Sequence, residues 1–331
     1  MNSDPSTHGN DPAGGPARAQ SAPAALMVRP ARFGWNPDTA ASNAFQHRSD
    51  ADGGVPARAR AEVDTLAAAL TAAGVQVIAL DESGPDACPD AVFPNNWVTM
   101  HHDGTVVLYP MLAPSRRLER RLELLTAVEA LGARAVTRLV DLSHHERHGR
   151  FLEGTGSVVF DHATGVAYAC RSPRTDPAVL DELCDEVGCT PCVFDATDAT
   201  GRPVYHTNVV LSVGARVAIA CAEAIAPADR DAVLERIATG RELVRVDRAQ
   251  MSEFACNALE FRTAAGRSVL ALSSRAWSAL GADTRARIAA RVDEVVAVPV
   301  PTIEAIGGGS VRCMLAEIFL PPVATATERV S

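Results

Sequence analysis

No stretch of this sequence stays apolar for the roughly 18 residues that a membrane-spanning helix needs, which excludes a membrane partner of that kind. A basic excess is also missing: Lys and Arg number 31 against 40 Asp and Glu, a formal charge of -9 at pH 7. A phosphate backbone selects a positively charged face, so nucleic acid is excluded as the expected partner. Residues 1–24 are rich in Gly, Pro, Ser, Ala and Asn but lack the apolar core of a secretory leader. They read as a disordered tail, and the expected compartment is the cytoplasm. In that setting Cys88, Cys170, Cys184, Cys189, Cys192, Cys221, Cys256 and Cys313 read as reduced thiols, not a disulfide framework. Finally, no Gly-x-Gly-x-x-Gly follows a strand pattern. Gly307-Gly308-Gly309 runs instead into Ser310-Val311-Arg312-Cys313, which is no nucleotide loop.

What the sequence has is a core, with 47% hydrophobic and 21% charged residues, and a period. Val63, Leu66 and Leu70 share one helical face before Gly74, and a β-rich run follows. Leu118, Leu122 and Leu125 repeat the pattern after Ser115, read as an N-cap, with Gly132 as the stop. Asp176-Pro177 opens a third helix running to Gly188. Pro227 opens a fourth running to Gly240, and a fifth spans about Ser274 to Val292 with a break at Gly281. Ahead of these helices lie paired strand candidates, such as Ala91–Thr99 with Thr105–Tyr109 and Val209–Val213 with Val217–Ala220. Two strands, a helix and a strand thus recur five times at intervals of about 50 residues, the signature of a repeat architecture. A doubly wound sheet is the competing reading.

Three residues at the heads of these repeats carry reactive groups. Cys313 follows three glycines, which let backbone approach a ligand, and Arg312 favours a thiolate; alone, it also fits a small buried apolar residue. His206, in Tyr-His-Thr-Asn-Val-Val, is placed to serve as a base or as a satisfied core histidine. Glu153, in Leu-Glu-Gly-Thr-Gly-Ser, is paired if buried and unremarkable if exposed. Together they form a nucleophile, a base and an orienting carboxylate.

The segments Asp90-Ala-Val-Phe-Pro-Asn-Asn-Trp, Ala113-Pro-Ser-Arg-Arg, Leu152-Glu-Gly-Thr-Gly-Ser, Ser172-Pro-Arg-Thr-Asp, His206-Thr-Asn and Gly308-Gly-Ser-Val-Arg-Cys313 occur in one order. That order resembles the guanidino-group-modifying (pentein, amidinotransferase-like) superfamily, nearest its citrulline-utilization and arginine-deiminase-related branch, from about Met27 to Pro321. The resemblance implies an α/β fold, a five-bladed α/β propeller of ββαβ repeats, in a single catalytic domain over 25–322 with a second tail at 323–331. It implies Cys313 as nucleophile, His206 as acid and base, and Glu153 as the orienting carboxylate. Asp90, Asn95, Asn96, Arg116, Arg174 and Asn208 are implied as substrate-binding, the two arginines at an α-carboxylate or in support of the site. No cofactor and no metal are implied, and the partner is a small amino-acid substrate.

The departures from the family are informative. Dimethylarginine hydrolases carry Asp, Glu and Asp where this chain has Asp90, Asn95 and Asn96, and the His-x-Asp of arginine deiminases is His206-Thr207-Asn208. A guanidinium offers only donors and a positive charge, which carboxylates match. A ureido group is neutral and adds a carbonyl acceptor that an Asn amide can satisfy. The expected activity is a cysteine-dependent hydrolase releasing ammonia and ornithine from citrulline or arginine. An amidinotransferase and a plain arginine deiminase remain as alternatives. Cys189-Thr-Pro-Cys192 has the spacing of half a metal or redox site without a second pair. His144-His145-Glu-Arg-His148 reads as an exposed loop. Asn36 and Asn43 sit where a lid over the site would lie.

Overall fold

A computed structural model of the chain describes residues 18–40, 42–43, 45–48, 54–82, 88–132 and 134–323. Its first two strands, β1 (Ala24–Arg29) and β2 (Gln76–Asp81), pair in parallel across the helix Val55–Ala72. The next strands use one arrangement four times over different sequence. β3 (Val98–Met100) pairs antiparallel with β4 (Thr105–Leu108), which pairs parallel with β5 (Arg138–Asp141). β6 (Val159–Asp161), β7 (Val166–Cys170) and β8 (Thr190–Phe194) do the same, as do β9 (Leu211–Val213), β10 (Val217–Ala220) and β11 (Glu242–Arg245). So do β12 (Leu259–Arg262), β13 (Ser268–Ser273) and β14 (Glu294–Val298). The C-terminal β15 (Ala316–Ile318) supplies the antiparallel partner that β1 lacks. A single parallel pairing of Ile318 with Met100 then joins two of these sets into a six-stranded sheet. The fold is mixed α/β, and the doubly wound reading fails because every set contains an antiparallel pair.

Local chemistry accounts for most boundaries. In Val55–Ala72 the buried residues Val55, Ala59, Val63, Leu66 and Leu70 recur at helical spacing, and Gly74 ends the run at φ +90°. Asp176 caps Pro177–Val187 by accepting from the Ala178 amide, and Gly188 closes it in the left-handed region. The last helical stretch divides at Gly281 into Ser274–Ala279 and Ala282–Ala289.

Three expectations are corrected. Ser115 is no N-cap: it lies inside the short helix Pro114–Arg117, and a second helix, Leu122–Gly132, follows. Leu118 and Leu122 are about half exposed, whereas Leu124, Leu125 and Val128 are buried. Ala91–Thr99 is strand only from Val98, after the 3-10 turn Pro94–Asn96. Val209–Val213 begins as the helical turn Thr207–Val210. A short apolar run looks alike as a buried strand and as a buried turn of helix.

Polar residues tie neighbouring sets together. Gln20 donates to the carbonyls of Phe160 and Val213, and Ser21 to Glu260. The chain is therefore packed from Arg18, inside the expected tail; residues 1–17 and 324–331 lie outside the described residues. Arg241, just before β11, forks onto Asp161 at the end of β6 at 2.5 and 3.1 Å, with both side chains buried. Removing the guanidinium leaves a carboxylate in the core, a change that costs about 3–5 kcal/mol. Arg241→Ala should therefore lower the free energy of chemical unfolding by that amount. Adding Asp161→Leu should recover a large part of the loss. An Arg241→Ala chain with an unchanged denaturation midpoint would show that the pair is structurally idle.

Candidate active site

Four short helical turns stand at the heads of inner strands and together bring five polar groups inward. Asn95 and Asn96 lie in Pro94–Asn96, Glu153 caps Gly154–Ser157, His206 caps Thr207–Val210, and Cys313 lies in Val311–Met314. All five are 0–7% exposed, so water screens none of them. Two glycines let the turns meet. A Cβ on Gly154, whose φ is +41°, would lie 2.2 Å from the Asn95 carbonyl oxygen. One on Gly156 would lie 2.5 Å from Asn96 Nδ2 and 2.7 Å from His206 Nδ1. Both clashes involve atoms that cannot yield cheaply, which explains the Glu-Gly-Thr-Gly sequence at this point.

Glu153 is the junction. Its Oε2 accepts from His206 Nε2 at 2.9 Å and from Arg174 Nη1 at 3.2 Å, while its Oε1 accepts from the Leu112 amide. Burial alone would raise its pKa, but Arg174 and His206 hold it well below the usual carboxylate range. A carboxylate at Nε2 requires that nitrogen to carry the proton, so Nδ1 holds the lone pair. Burial drives the His206 pKa down to about 4, against the pull of Glu153, leaving a neutral imidazole at pH 7.

The thiol faces amides. Asn257 Nδ2 lies 3.4 Å from Cys313 Sγ and Asn208 Nδ2 lies 3.7 Å from it. Asn257 Oδ1 accepts from the Arg312 amide, which fixes the orientation that turns the NH₂ towards sulfur. Cys313 and His206 line one small cavity with Asp90, Asn96, Arg116 and Arg174.

Several buried polar atoms around the thiol have no protein partner: Asp90 Oδ1, both amide atoms of Asn95, Asn96 Nδ2 and Asn208 Oδ1. Such groups are costly when unpaired, and a cluster of them marks where a ligand supplies the missing bonds. Asp90 Oδ2 is already held by Asn36 Nδ2 at 2.8 Å. Burial raises the Asp90 pKa, opposed by Arg116 at 3.8 Å.

The nine residues singled out from sequence are brought together, though not in the expected roles throughout. Asn95, Glu153 and Asn208 lie behind the cavity wall. Arg116 directs four of its five N–H groups to Glu119, Asn96 Oδ1 and the Phe93 carbonyl. Arg174 directs as many to Glu153, Ser42 and the Thr39 carbonyl. Both are braces, and each keeps only one N–H for a bound carboxylate. Asn43 lines the cavity and donates to the Gly307 carbonyl.

Asn257 and Glu119 escaped the sequence reading. Asn257 precedes β12, at the same place in its repeat as the other four site positions in theirs, so the repeat itself was the signal. Glu119 carried none, because it sits among charges that read as a solvated helix face.

The two metal-like patterns lie apart from the cavity. Cys189 and Cys192 pack into different clusters, Cys189 with Val179 and Leu183 and Cys192 with Val233 and Leu234, so they do not converge. The expected exposed loop at His144 is a 3-10 helix, Ser143–His148, with His145 buried and 2.8 Å from Glu182. Among the described residues, His144, His145 and Glu182 are the one group close enough to share a cation. No helix of the described residues is long and apolar enough to cross a membrane.

Comparison with known proteins gives consistent results. The N-terminal domain of ArgZ, a cyanobacterial arginine dihydrolase of the ornithine–ammonia cycle, has been solved with substrate bound. It superposes with a TM-score of 0.69 at 15% identity, covering 91% of this chain and 99% of that one. AgrE in complex with L-arginine gives 0.70 at 15% identity, over 91% of this chain and 41% of that one. A dimethylarginine dimethylaminohydrolase adduct with S-methyl-L-thiocitrulline gives 0.60 at 16%, over 89% and 98%. At such identities the likeness shows the shared fold. No curated protein sequence matches significantly. Residues 29–320 match the family described as N,N dimethylarginine dimethylhydrolase, eukaryotic. The chain belongs to that family, within the guanidino-modifying superfamily, and is a hydrolase acting on guanidino C–N bonds.

Proposed function

We propose that this protein hydrolyses arginine through a ureido stage to ornithine, with carbon dioxide and two molecules of ammonia as the other products. The observation carrying this reading is the set of unpartnered buried amide atoms beside Cys313, together with Asp90 as the one cavity carboxylate that has an oxygen to spare. Asp90 supplies a counter-charge for an entering guanidinium, and the uncommitted NH₂ of Asn96 supplies a neutral donor for a ureido carbonyl, with Asn95 and Asn208 behind the wall as further amides in place of carboxylates. Cys313 Sγ attacks the central carbon. His206 takes the thiol proton at Nδ1 and passes it to the departing ammonia, and Glu153 stabilises the imidazolium formed in between. His206 then draws a proton from water as that water displaces sulfur. Asn257 and Asn208 donate to the thiolate before attack and after release. Loss of the first ammonia leaves a ureido group, and a second hydrolysis releases ornithine. The compartment consistent with such a substrate is the cytoplasm.

The fold supports this reading if the five strand sets close into a five-bladed propeller, one catalytic domain over 25–322, with the site at its centre. Contacts between β15 and β3, between β6 and β9, and between β9 and β12 support that closure.

Cys313→Ser should lower turnover by at least about a thousandfold while leaving the unfolding transition in place, because an alcohol is a poor nucleophile at neutral pH. Appreciable activity in that variant would remove Cys313 from its role. Asn257→Ala deletes one donor to sulfur and should cost on the order of tenfold in kcat/KM, about the value of one hydrogen bond to a charged group; an unchanged value would make Asn257 a packing residue. For specificity the readout is the ornithine-to-citrulline product ratio. Wild type should yield ornithine from arginine and from added citrulline, and Asn96→Asp should shift arginine products at least about tenfold towards citrulline, because a carboxylate repels the ureido oxygen. Wild-type protein that stops at citrulline and leaves added citrulline untouched would be a plain deiminase.

A further inference from the structure

Cys189 and Cys192 do not pair, but Cys189 has a different partner. Its Sγ lies 3.0 Å from the Sγ of Cys184, one turn from the end of the helix Pro177–Val187. Gly188 makes the approach possible. Held at φ +67°, it turns the chain back so that the Cys189 amide donates to the Cys184 carbonyl, and residue 189 stands over residue 184. A disulfide needs sulfurs about 2.05 Å apart, so a shift of about one ångström would bond this pair.

The surroundings separate the two thiols. Cys184 is buried, whereas Cys189 is partly exposed and reachable by a small reagent. Arg18 donates to the carbonyls of Val187 and Gly188, which places a guanidinium on the turn between the two cysteines. The contact between the two thiols lowers the Cys189 pKa against its burial, with Arg18 adding to the effect, and raises that of Cys184. One sulfur is thus the more accessible and more acidic, and the other is buried within bonding range.

We propose that Cys184 and Cys189 form a reversible disulfide on oxidation by a peroxide, a thiol-modification site separate from the Cys313 cavity. The Cys189 thiolate attacks one peroxide oxygen; the O–O bond breaks, hydroxide departs and a sulfenic acid forms. The Cys184 sulfur then attacks Cys189 Sγ; the S–O bond breaks, and the Cys184 proton leaves with that oxygen as water. Two thiols and one hydrogen peroxide give one disulfide and two waters. A small dithiol restores the thiols by exchange. The closed link ties the end of the helix to the start of β8.

The test uses the full chain carrying Cys313→Ser, so that the cavity thiol does not compete. Folded protein is treated with hydrogen peroxide, its remaining thiols are alkylated, and trypsin releases Thr175–Arg216. That peptide contains Cys184, Cys189 and Cys192 and no other cysteine. Near one equivalent of peroxide, the peptide should lose the mass of two hydrogens and retain a single alkylated thiol in nearly every chain. Cleavage after Glu186 should then leave two pieces joined until a reductant is added, since Glu186 lies between Cys184 and Cys189. Cys192→Ser should not change this result, and Cys189→Ser should abolish it. Denatured protein should lose the preference, which distinguishes placement by the fold from proximity in sequence. A Cys189–Cys192 link, three alkylated thiols after peroxide, or a stable sulfonic acid at Cys189 would each overturn the proposal.

Discussion

The buried carboxylate of Glu153 is the constraint on which the rest of the site depends. An ionised carboxylate with no water around it survives only if cations and donors saturate it. Here Arg174, His206 and the Leu112 amide do so. Each obligation propagates outward. Arg174 must reach Glu153, so its remaining N–H groups fall on Ser42 and the Thr39 carbonyl and anchor the segment ahead of the first helix over the cavity. His206 must point Nε2 at Glu153, which leaves its Nδ1 against Gly156, where only a glycine fits. Leu112 must present its amide, which sets the course of the chain into Pro114–Arg117 and therefore the position of Arg116. One buried charge thus orients an imidazole, a guanidinium and the segment that lies over the cavity.

A second pairing repeats the logic. Arg116 and Glu119 form a two-pronged ion pair in the interior, and the guanidinium also holds the carbonyl oxygen of the Asn96 side chain. With that oxygen committed, the Asn96 amide must turn its NH₂ to the cavity, where it has no protein partner. The chain contains no lysine, so every fixed cation in these networks is a guanidinium. Its planar fork suits the work, because one side chain can satisfy two carboxylate oxygens and still orient a third group.

Much of this was legible in the sequence, and the boundary of legibility has physical causes. Helical spacing in Val55–Ala72, the Asp176 cap and the Gly188 stop are local signals, and local chemistry decides them. The site residues at strand heads were legible because the repeat places them at equivalent positions. Glu119 and the splitting of the 115–132 segment were not. Glu119 is buried by a tertiary pairing, with Arg116 held between it, Asn96 and Phe93, and nothing in the local sequence announces that pairing. The helical turns before β3 and β9 were hidden for a different reason: a buried strand and a buried turn present the same apolar letters.

Charge counting around the cavity connects these networks to the reaction. Arg116 is bonded to Glu119 and Arg174 to Glu153, which leaves Asp90 only a share of Arg116 at 3.8 Å. Burial favours its protonated form in the empty site. An entering guanidinium reverses that preference, since a cation within hydrogen-bonding range stabilises the carboxylate in a dry cavity far more than at a surface. Once ammonia has left and the substrate is a neutral ureido group, the cation is gone. In the proposed reaction the Asn96 amide, which lines the cavity, is the neutral donor that then meets the ureido oxygen. A rigid second carboxylate at residue 96 would keep the cavity negative at that stage and favour release of the neutral product. An amide there suits the proposed sequence of a cation first and a neutral group second, because it adds no charge at either stage.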